Sequence, residues 1–551
     1  MVALVSSRRW WCGDGGRPEG HTDFSMSTRR GDVKAVVPVV LRVVVVLAAG
    51  VVLYASFPPR DLWWLAPLSF AGWASVLHGR RARAGFGYGF LFGLAFLLPL
   101  LAWVYAFLGT GFGPWPWLGL VALESLFFAA AGAASSFVSR LPGFAVWTAL
   151  ILVCAELARS RVPFGGFPWA KIAFSQPTGV FLPLASVGGA VLVGFAVAVT
   201  GTGLGLLVIR WSEVGFAKVA AWRGPALAVV LPAVCGVAVM PLIRSDANAG
   251  VARVAVVQGN APDIGLGLLG ESDALYANHL RGAEQLAADV RDNRVLRPDL
   301  VILPESTSSW GPERYDPGLA GVARELGVPV AAGGTAVSRE GVLSNRIVRW
   351  DPRRGSTDEY VKQQLVPFGE YMPLRELAAY VTPFADSRDM APGRGPGVFP
   401  MGPARVGLAN CYEVAYDYVL RDATRSGATL LAVPSNNAWY GRTEMTYQQL
   451  AMAQVRAVEN GRSVLVAANS GVSAIVRPDG RVTQQTGQFT AETLVSQVPL
   501  RSTLTLATRL GEAPDWLVAI ASVVGLGWAG WRRLARRRRN RTARYPPLNC
   551  R

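Results

Sequence analysis

Histidine is almost missing from this chain of 551 residues. His21, His78 and His279 are the only three, too few for a histidine zinc site or for ready assembly of a Ser-His-Asp relay. Cysteine is scarce as well. Cys12, Cys154, Cys235, Cys411 and Cys550 include no CxxC pair, which argues against a disulfide framework or a zinc ribbon. Neither a metal ion nor a cofactor is expected. Charged residues make up only 17% of the chain, and 37 acidic against 54 basic side chains leave a formal net charge of +17. So little charge beside 51% hydrophobic residues and 18 Trp excludes a disordered chain and is apolar for a purely soluble one. The mean hydropathy of +0.30 makes a membrane the first expectation.

A helix that crosses a bilayer needs about 20 mostly apolar residues. Segments near 36–57, 62–77, 86–108, 115–137, 144–157, 180–209 and 226–243 qualify, with an eighth at 516–531. The segment 62–77 is short enough to be interfacial or re-entrant instead. Arg29, Arg30 and Lys34, then Arg80, Arg81 and Arg83, then Arg140, then Arg210 and Lys218 fall on every second side of this series. The Arg-rich tail, Arg532 to Arg544, falls on that side too. Arg159, Arg161 and Lys171 oppose the pattern without reversing it. The positive-inside rule therefore places both termini in the cytoplasm and the segment between spans seven and eight outside it. Arginines directly after an apolar run, without interleaved aromatics for stacking, suit a membrane anchor and exclude nucleic acid as the partner.

From about residue 245 to 510 the pattern becomes that of an α/β domain. Short apolar runs at 251–257, 300–303, 328–332, 347–350, 406–408, 430–433 and 464–467 alternate with helical patterns at 272–290, 319–326 and 445–460. Continuous apolar strands between amphipathic helices argue for sheets covered by helices. Residues 382–400 read as a long loop in which Phe384, Met390 and Phe399 could serve as a lid or a membrane-dipping arm, or lie on a plain surface.

Within this segment Cys411 is the only thiol. An unpaired cysteine in an oxidising compartment is either buried and inert or reactive and used. Cys411 ends an apolar strand at 405–410 and precedes a helical pattern, a strand-to-helix turn of the kind that exposes a nucleophile. A thiol nucleophile needs a base and a cation near the developing oxyanion. His279 has polar neighbours and reads as a surface residue. Glu305, in LPES just past the strand 300–303, is either a strand-end acid or a partly desolvated general base. Lys362, before the apolar Leu-Val-Pro-Phe stretch, is either a snorkelling surface lysine or the cation.

As a set, these residues resemble the carbon-nitrogen hydrolase (nitrilase) superfamily. VVQGN at 256–260, GFPW at 166–169, VPFGEYMP at 366–373, NCYE at 410–413, PSNNAWYG at 434–441 and RAVENGR at 456–462, with the flanking spans, make the whole chain similar to the apolipoprotein N-acyltransferases, a membrane-embedded family of that superfamily. The resemblance implies an α-β-β-α sandwich and a Glu305, Lys362, Cys411 triad. Cys411 would take an acyl chain from a phospholipid as a thioester and pass it to the α-amino group of the diacylglyceryl-cysteine of an apolipoprotein. Glu305 would be the base and Lys362 the oxyanion stabiliser. Glu370 and Glu413 would orient Lys362 or the incoming amine, and Tyr412 and Trp439 would support or line the pocket. One departure is the run Ala261-Pro-Asp-Ile-Gly-Leu-Gly, which lacks an aromatic residue found there in some members.

The implied organisation is a disordered cytoplasmic tail (1–34), a helical membrane domain of about seven spans (35–244), an extracytoplasmic catalytic domain (245–510), a C-terminal span (511–532) and a basic cytoplasmic tail (533–551). Its partners would be the phospholipid donor, the diacylated apolipoprotein acceptor and the bilayer of the bacterial inner membrane, with the protein a monomer. The rival enzyme reading is a membrane-tethered amidase using the same triad on a small amide, which leaves the preceding spans without a role. A transporter is disfavoured because Arg42, Glu124 and Glu156 are the only ions inside the expected spans.

Overall fold

Gly, Pro and charged residues cut the apolar first half into helices. They run Thr28–Ala55, Leu65–Leu77, Ala82–Leu100, Ala102–Phe112, Trp115–Val138, Phe144–Arg159, Ala185–Val214 and Ala220–Val239, followed at the far end of the chain by Ala513–Arg544. The computed structural model describes residues 28–214, 220–261, 271–313, 315–379 and 388–544. The tail to residue 27, the stretch after Ala261 and Phe384 lie outside these. The chain divides into two units at Val44. The first contributes the beginning of the Thr28–Ala55 helix, which starts inside the stretch expected as tail; the second, Val45–Arg551, holds every other element.

Among the described residues six stretches are long and apolar enough to cross a membrane: Val37–Ala55, Ala82–Leu100, Trp115–Val138, Leu182–Glu213, Ala220–Leu242 and Ala513–Asn540. Leu65–Leu77 has 13 residues, roughly 20 Å at 1.5 Å per residue, short of a bilayer core of about 30 Å. Leu182–Glu213 is central, with 67% of its most apolar 18-residue window buried, whereas only 6% of that of Ala220–Leu242 is, its side chains being exposed or half-buried. Small residues bring the helices together: a Cβ on Gly85 would sit 2.3 Å from the Gly132 carbonyl oxygen across the Ala82–Leu100 and Trp115–Val138 pair. The segment 86–108, expected as one span, is broken. Pro99 lies in the last turn of Ala82–Leu100 and a second helix restarts after Leu101, because proline lacks the N–H that continues the ladder. The Leu100 carbonyl accepts from Gln448 Nε2 at 3.2 Å instead.

The second half is two sheets face to face. The seven-stranded sheet runs Glu492–Pro499, Val251–Gln258, Leu300–Ile302, Val330–Val337, Leu343–Asp351, Gly355–Val361, with Ser308–Trp310 beside Val330–Val337. The six-stranded sheet runs Val482–Gln485, Ala474–Val476, Val464–Ala468, Leu430–Ser435, Ala404–Leu408, Gly397–Met401. In each the central pairs are parallel and the outer ones antiparallel. Val254, Val256, Ile302, Val406, Leu408, Ala432 and Leu465 fill the space between them. Helices Ser272–Arg291 and Pro317–Leu326 cover the outer face of the first sheet. Met445–Asn460 and Asp417–Arg425 cover that of the second and merge with the membrane helices in one core. The expected α-β-β-α sandwich is thus present, with one helical layer packed on the membrane domain.

Two expectations are corrected. Part of the 382–400 loop is the edge strand Gly397–Met401, which tolerates Pro400 because among the described residues it pairs with a strand on one side only. Phe399 is buried between the sheets and cannot dip into a membrane. His279 is fully buried, its Nδ1 bonded to the Leu275 carbonyl at 2.7 Å. Its polar neighbours in sequence occupy the other faces of the same helix.

Candidate active site

Three strand ends converge. Glu305 follows Leu300–Ile302, Lys362 follows Gly355–Val361, and Cys411 follows Ala404–Leu408 at the first residue of a 3-10 turn, Cys411–Ala415. Cys411 has φ +53°, a left-handed conformation that a non-glycine residue adopts at a cost and that marks a sharp strand-to-helix elbow.

The Glu305 carboxylate lies at the centre. Its Oε1 accepts from Lys362 Nζ at 3.0 Å and from Asn345 Nδ2 at 2.7 Å; its Oε2 accepts from the Asn436 backbone N–H at 2.9 Å. Lys362 Nζ also donates to Glu370 Oε1 at 3.0 Å, which Asn345 Nδ2 reaches from the other side. All of these side chains are buried. Burial works against the Lys362 ammonium, but Glu305 and Glu370 outweigh it and hold it well above the ordinary lysine value. The Cys411 thiol is pushed up to about 12, first by burial and next by the adjacent Glu305 carboxylate; Lys362 and the Asn436 N–H oppose the shift. Gln449 Nε2 is 3.7 Å from Cys411 Sγ. A thiol pushed up by burial, with the Glu305 carboxylate beside it, is the arrangement for proton removal during attack rather than before it. A fixed ammonium within the same cluster can then meet charge developing on a carbonyl oxygen.

The other expected residues divide. Glu370 touches Lys362. Glu413 does not: its Oε1 accepts from the Gln363 and Gln364 N–H groups at 2.6 and 3.0 Å, and its Oε2 from Asn410 N at 2.7 Å and Tyr360 Oη at 2.8 Å. Its carboxylate ties the backbone after Lys362 to the elbow before Cys411 and has no oxygen free of these donors for an amine. Burial raises its pKa against the bonds from Asn410 and Gln364. Tyr412 stacks on Phe167 and Trp169 of the GFPW segment, with centroids 6.2 and 6.3 Å apart, and so seats the elbow on the membrane domain. Trp439 packs edge-on against Phe107 at 5.4 Å, and Tyr440 against Trp103 at 5.0 Å. The helix after the Pro99 break thus lays its aromatic side chains beside the PSNNAWYG loop.

Asn345 and Gln449 escaped attention in the sequence, and Asn436 stood out only as part of the PSNNAWYG motif. Asn345 sits in the polar run Ser344-Asn345-Arg346 at the start of its strand and carried no signal, nor did Gln449. The charges thought to oppose the positive-inside pattern are ion-paired. Arg159 meets Glu124 at 3.3 Å and Glu156 at 4.0 Å, Arg161 meets Asp515 at 2.6 Å, and Lys171 meets Asp417.

The family model of the apolipoprotein N-acyltransferase N-terminal domain matches residues 49–203, and that of the carbon-nitrogen hydrolases matches 253–507. Apolipoprotein N-acyltransferase of Mycolicibacterium smegmatis is 37% identical over 506 residues, 87% of this chain and 84% of the relative. The enzyme of the same name from Azotobacter vinelandii is 30% identical, over 92% of this chain and 97% of its own. Among solved structures, Saccharomyces cerevisiae Nit3, of the nitrilase superfamily, aligns with 45% of this chain and 90% of its own at 18% identity and a TM-score of 0.35. With both halves matched in order and most of its length shared, this chain belongs to the apolipoprotein N-acyltransferase family.

Proposed function

We propose that the protein moves an acyl chain from a phospholipid to the N-terminal amino group of a diacylated apolipoprotein through a thioester on Cys411. As Cys411 Sγ attacks the ester carbonyl, Glu305 takes the thiol proton and Lys362 steadies the oxyanion. The tetrahedral intermediate collapses with return of the proton to the departing lysophospholipid oxygen. In the second half the amine attacks the thioester, Glu305 takes its proton, and Cys411 leaves as the thiol. Glu370 keeps Lys362 in place and Glu413 holds the two loops in register. The observation that carries this reading is the single carboxylate, Glu305, bonded at once to Lys362 and to Asn436 N beside a thiol that burial keeps protonated.

A thioester keeps the acyl group activated while one lipid leaves and another enters. The membrane helices give both amphiphiles a route, a role an amidase acting on a small amide would not need. We take the shorter Leu65–Leu77 and Phe144–Arg159 helices with the six long stretches as eight spans, the catalytic domain (245–510) on the extracytoplasmic side of the inner membrane, both termini in the cytoplasm and the monomer as the working unit, since one chain supplies every group named. The positive-inside pattern supports that orientation.

Incubating the purified protein with acyl-labelled phospholipid should leave label on Cys411 that hydroxylamine releases, and none on Cys411→Ala. Equal label on both would end the proposal.

A further inference from the structure

At the end of the helices remote from Cys411 lies an open cavity of about 540 Å³. Arg80 and Arg81 enter it from the loop before Ala82–Leu100, and Arg140 from the turn before Phe144–Arg159. The C-terminal helix adds Arg532, Arg533, Arg536 and Arg537, spaced so that two i,i+4 pairs of like charge face it. None of its lining residues is acidic, and among the described residues none of these guanidiniums is ion-paired with a carboxylate. Like charges at this spacing repel, so an anion between them would stabilise the helix end. The wall is also fixed: Arg533 donates to the Phe137 carbonyl at 2.9 Å and lies 4.0 Å over the Phe137 ring. Beside the arginines the cavity has an apolar side made by Phe137, Leu141 and Ala529. A free phosphate would leave that side bare, whereas a headgroup with its glycerol end would cover it.

We propose that this cavity binds the phosphate group of an anionic phospholipid in the leaflet remote from the catalytic domain. Basic pockets between membrane helices take such headgroups, and planar guanidiniums match phosphate oxygens in pairs. The site is separate from that of the acyl donor. The Ala82–Leu100 helix runs from this cavity to the Leu100 carbonyl that meets Gln448, about 28 Å at 1.5 Å per residue.

The test uses the full chain in detergent with added phosphatidylglycerol, phosphatidylcholine or inorganic phosphate, reading bound lipid by native mass spectrometry and the thermal midpoint. Phosphatidylglycerol should bind and stabilise more than phosphatidylcholine. Arg140→Gln/Arg533→Gln/Arg537→Gln should lose about tenfold or more of that affinity, while the charge-matched Arg83→Gln/Arg538→Gln/Arg539→Gln, none of which lines the cavity, should lose less than about twofold. Cys411 labelling from phospholipid should persist in both, which reports their folding and keeps this test apart from that of the acyl transfer. Should the cavity triple variant not fold, Arg140→Gln and Arg537→Gln, each at an exposed side chain, carry the same comparison one charge at a time. Equal losses in the two triple variants, no preference for the anionic lipid, or equal protection by inorganic phosphate at the same concentration would each overturn the proposal.

Discussion

Replacing Glu305 by Gln should push two properties of Cys411 in opposite directions. After burial, the Glu305 carboxylate is the largest influence keeping the thiol protonated. Glutamine keeps the side-chain length but removes the charge and brings an amide donor against the Asn436 N–H or the Lys362 and Asn345 donors. A unit charge about 4 Å away at an effective dielectric near 20 is worth up to about 4 kcal/mol. If relaxation of Lys362 toward Glu370 cancels half, the thiol still falls by more than about one unit, at 1.36 kcal/mol per unit. The thiolate fraction at pH 8, and with it the rate of alkylation by iodoacetamide, should rise about 10- to 100-fold, because only the thiolate reacts. Acylation of Cys411 from labelled phospholipid should meanwhile fall by about 10²- to 10⁴-fold for loss of the base. Both rates are read on the Cys411 peptide by mass spectrometry, which separates it from Cys154 and Cys235. In the wild type, alkylation should climb about tenfold per pH unit through pH 10 without a plateau, since the thiol lies near 12. A parallel fall of both reactions in Glu305→Gln would mean that the carboxylate serves to form the resting thiolate, and unaltered acylation would remove it as the base.

Gly189 has φ +68°, and a Cβ there would meet Glu459 Oε1 at 2.6 Å. Gly189→Ala should therefore cost about 1–3 kcal/mol of stability, while Gly194→Ala, with its nearest neighbour at 3.6 Å, should be close to neutral in the same thermal unfolding series. Arg159→Met strands Glu124 and Glu156 without their cation and should cost about 3–5 kcal/mol; adding Glu124→Gln should restore part of it, and strict additivity would deny the pairing. His279 is held down to about 4 by burial, against the pull of the Leu275 carbonyl. The unfolded chain takes up this proton near 6.5 and the folded one only near 4, so stability should fall by up to about 3 kcal/mol as pH drops through that window. His279→Leu should be flatter there, and identical slopes would refute the assignment.

Features that depend on a few neighbouring residues were readable from the chain. Apolar runs bounded by Gly and Pro marked the central strands, and 3.6-residue periodicity marked Met445–Asn460 at both ends. The strand-to-helix elbow was visible because Asn410-Cys411-Tyr412-Glu413 closes an apolar run, and its φ of +53° matches such a turn, but the expected exposure of the sulfur does not hold, because Cys411 is buried. Edge strands such as Gly397–Met401 were hidden by their Pro and Gly, since an edge needs less hydrogen bonding and tolerates both.

What lay beyond local pattern was partnership. Glu305 and Lys362 are 57 residues apart and Arg159 and Glu124 are 35 apart, and no periodicity links them. Asn345 binds two carboxylates because its place in the sheet sets it beside Glu305 at a strand end and Glu370 in the loop after Lys362. Glu413 ties the backbone after Lys362 to that before Cys411, because its oxygens accept from the Gln363, Gln364 and Asn410 N–H groups and from Tyr360. Length, hydropathy and motif order thus announced a membrane-bound acyltransferase of the carbon-nitrogen hydrolase superfamily from the chain alone, as each is a property of contiguous residues. Which acids face which cations was settled by long-range packing, where burial makes an unpaired charge too costly to keep.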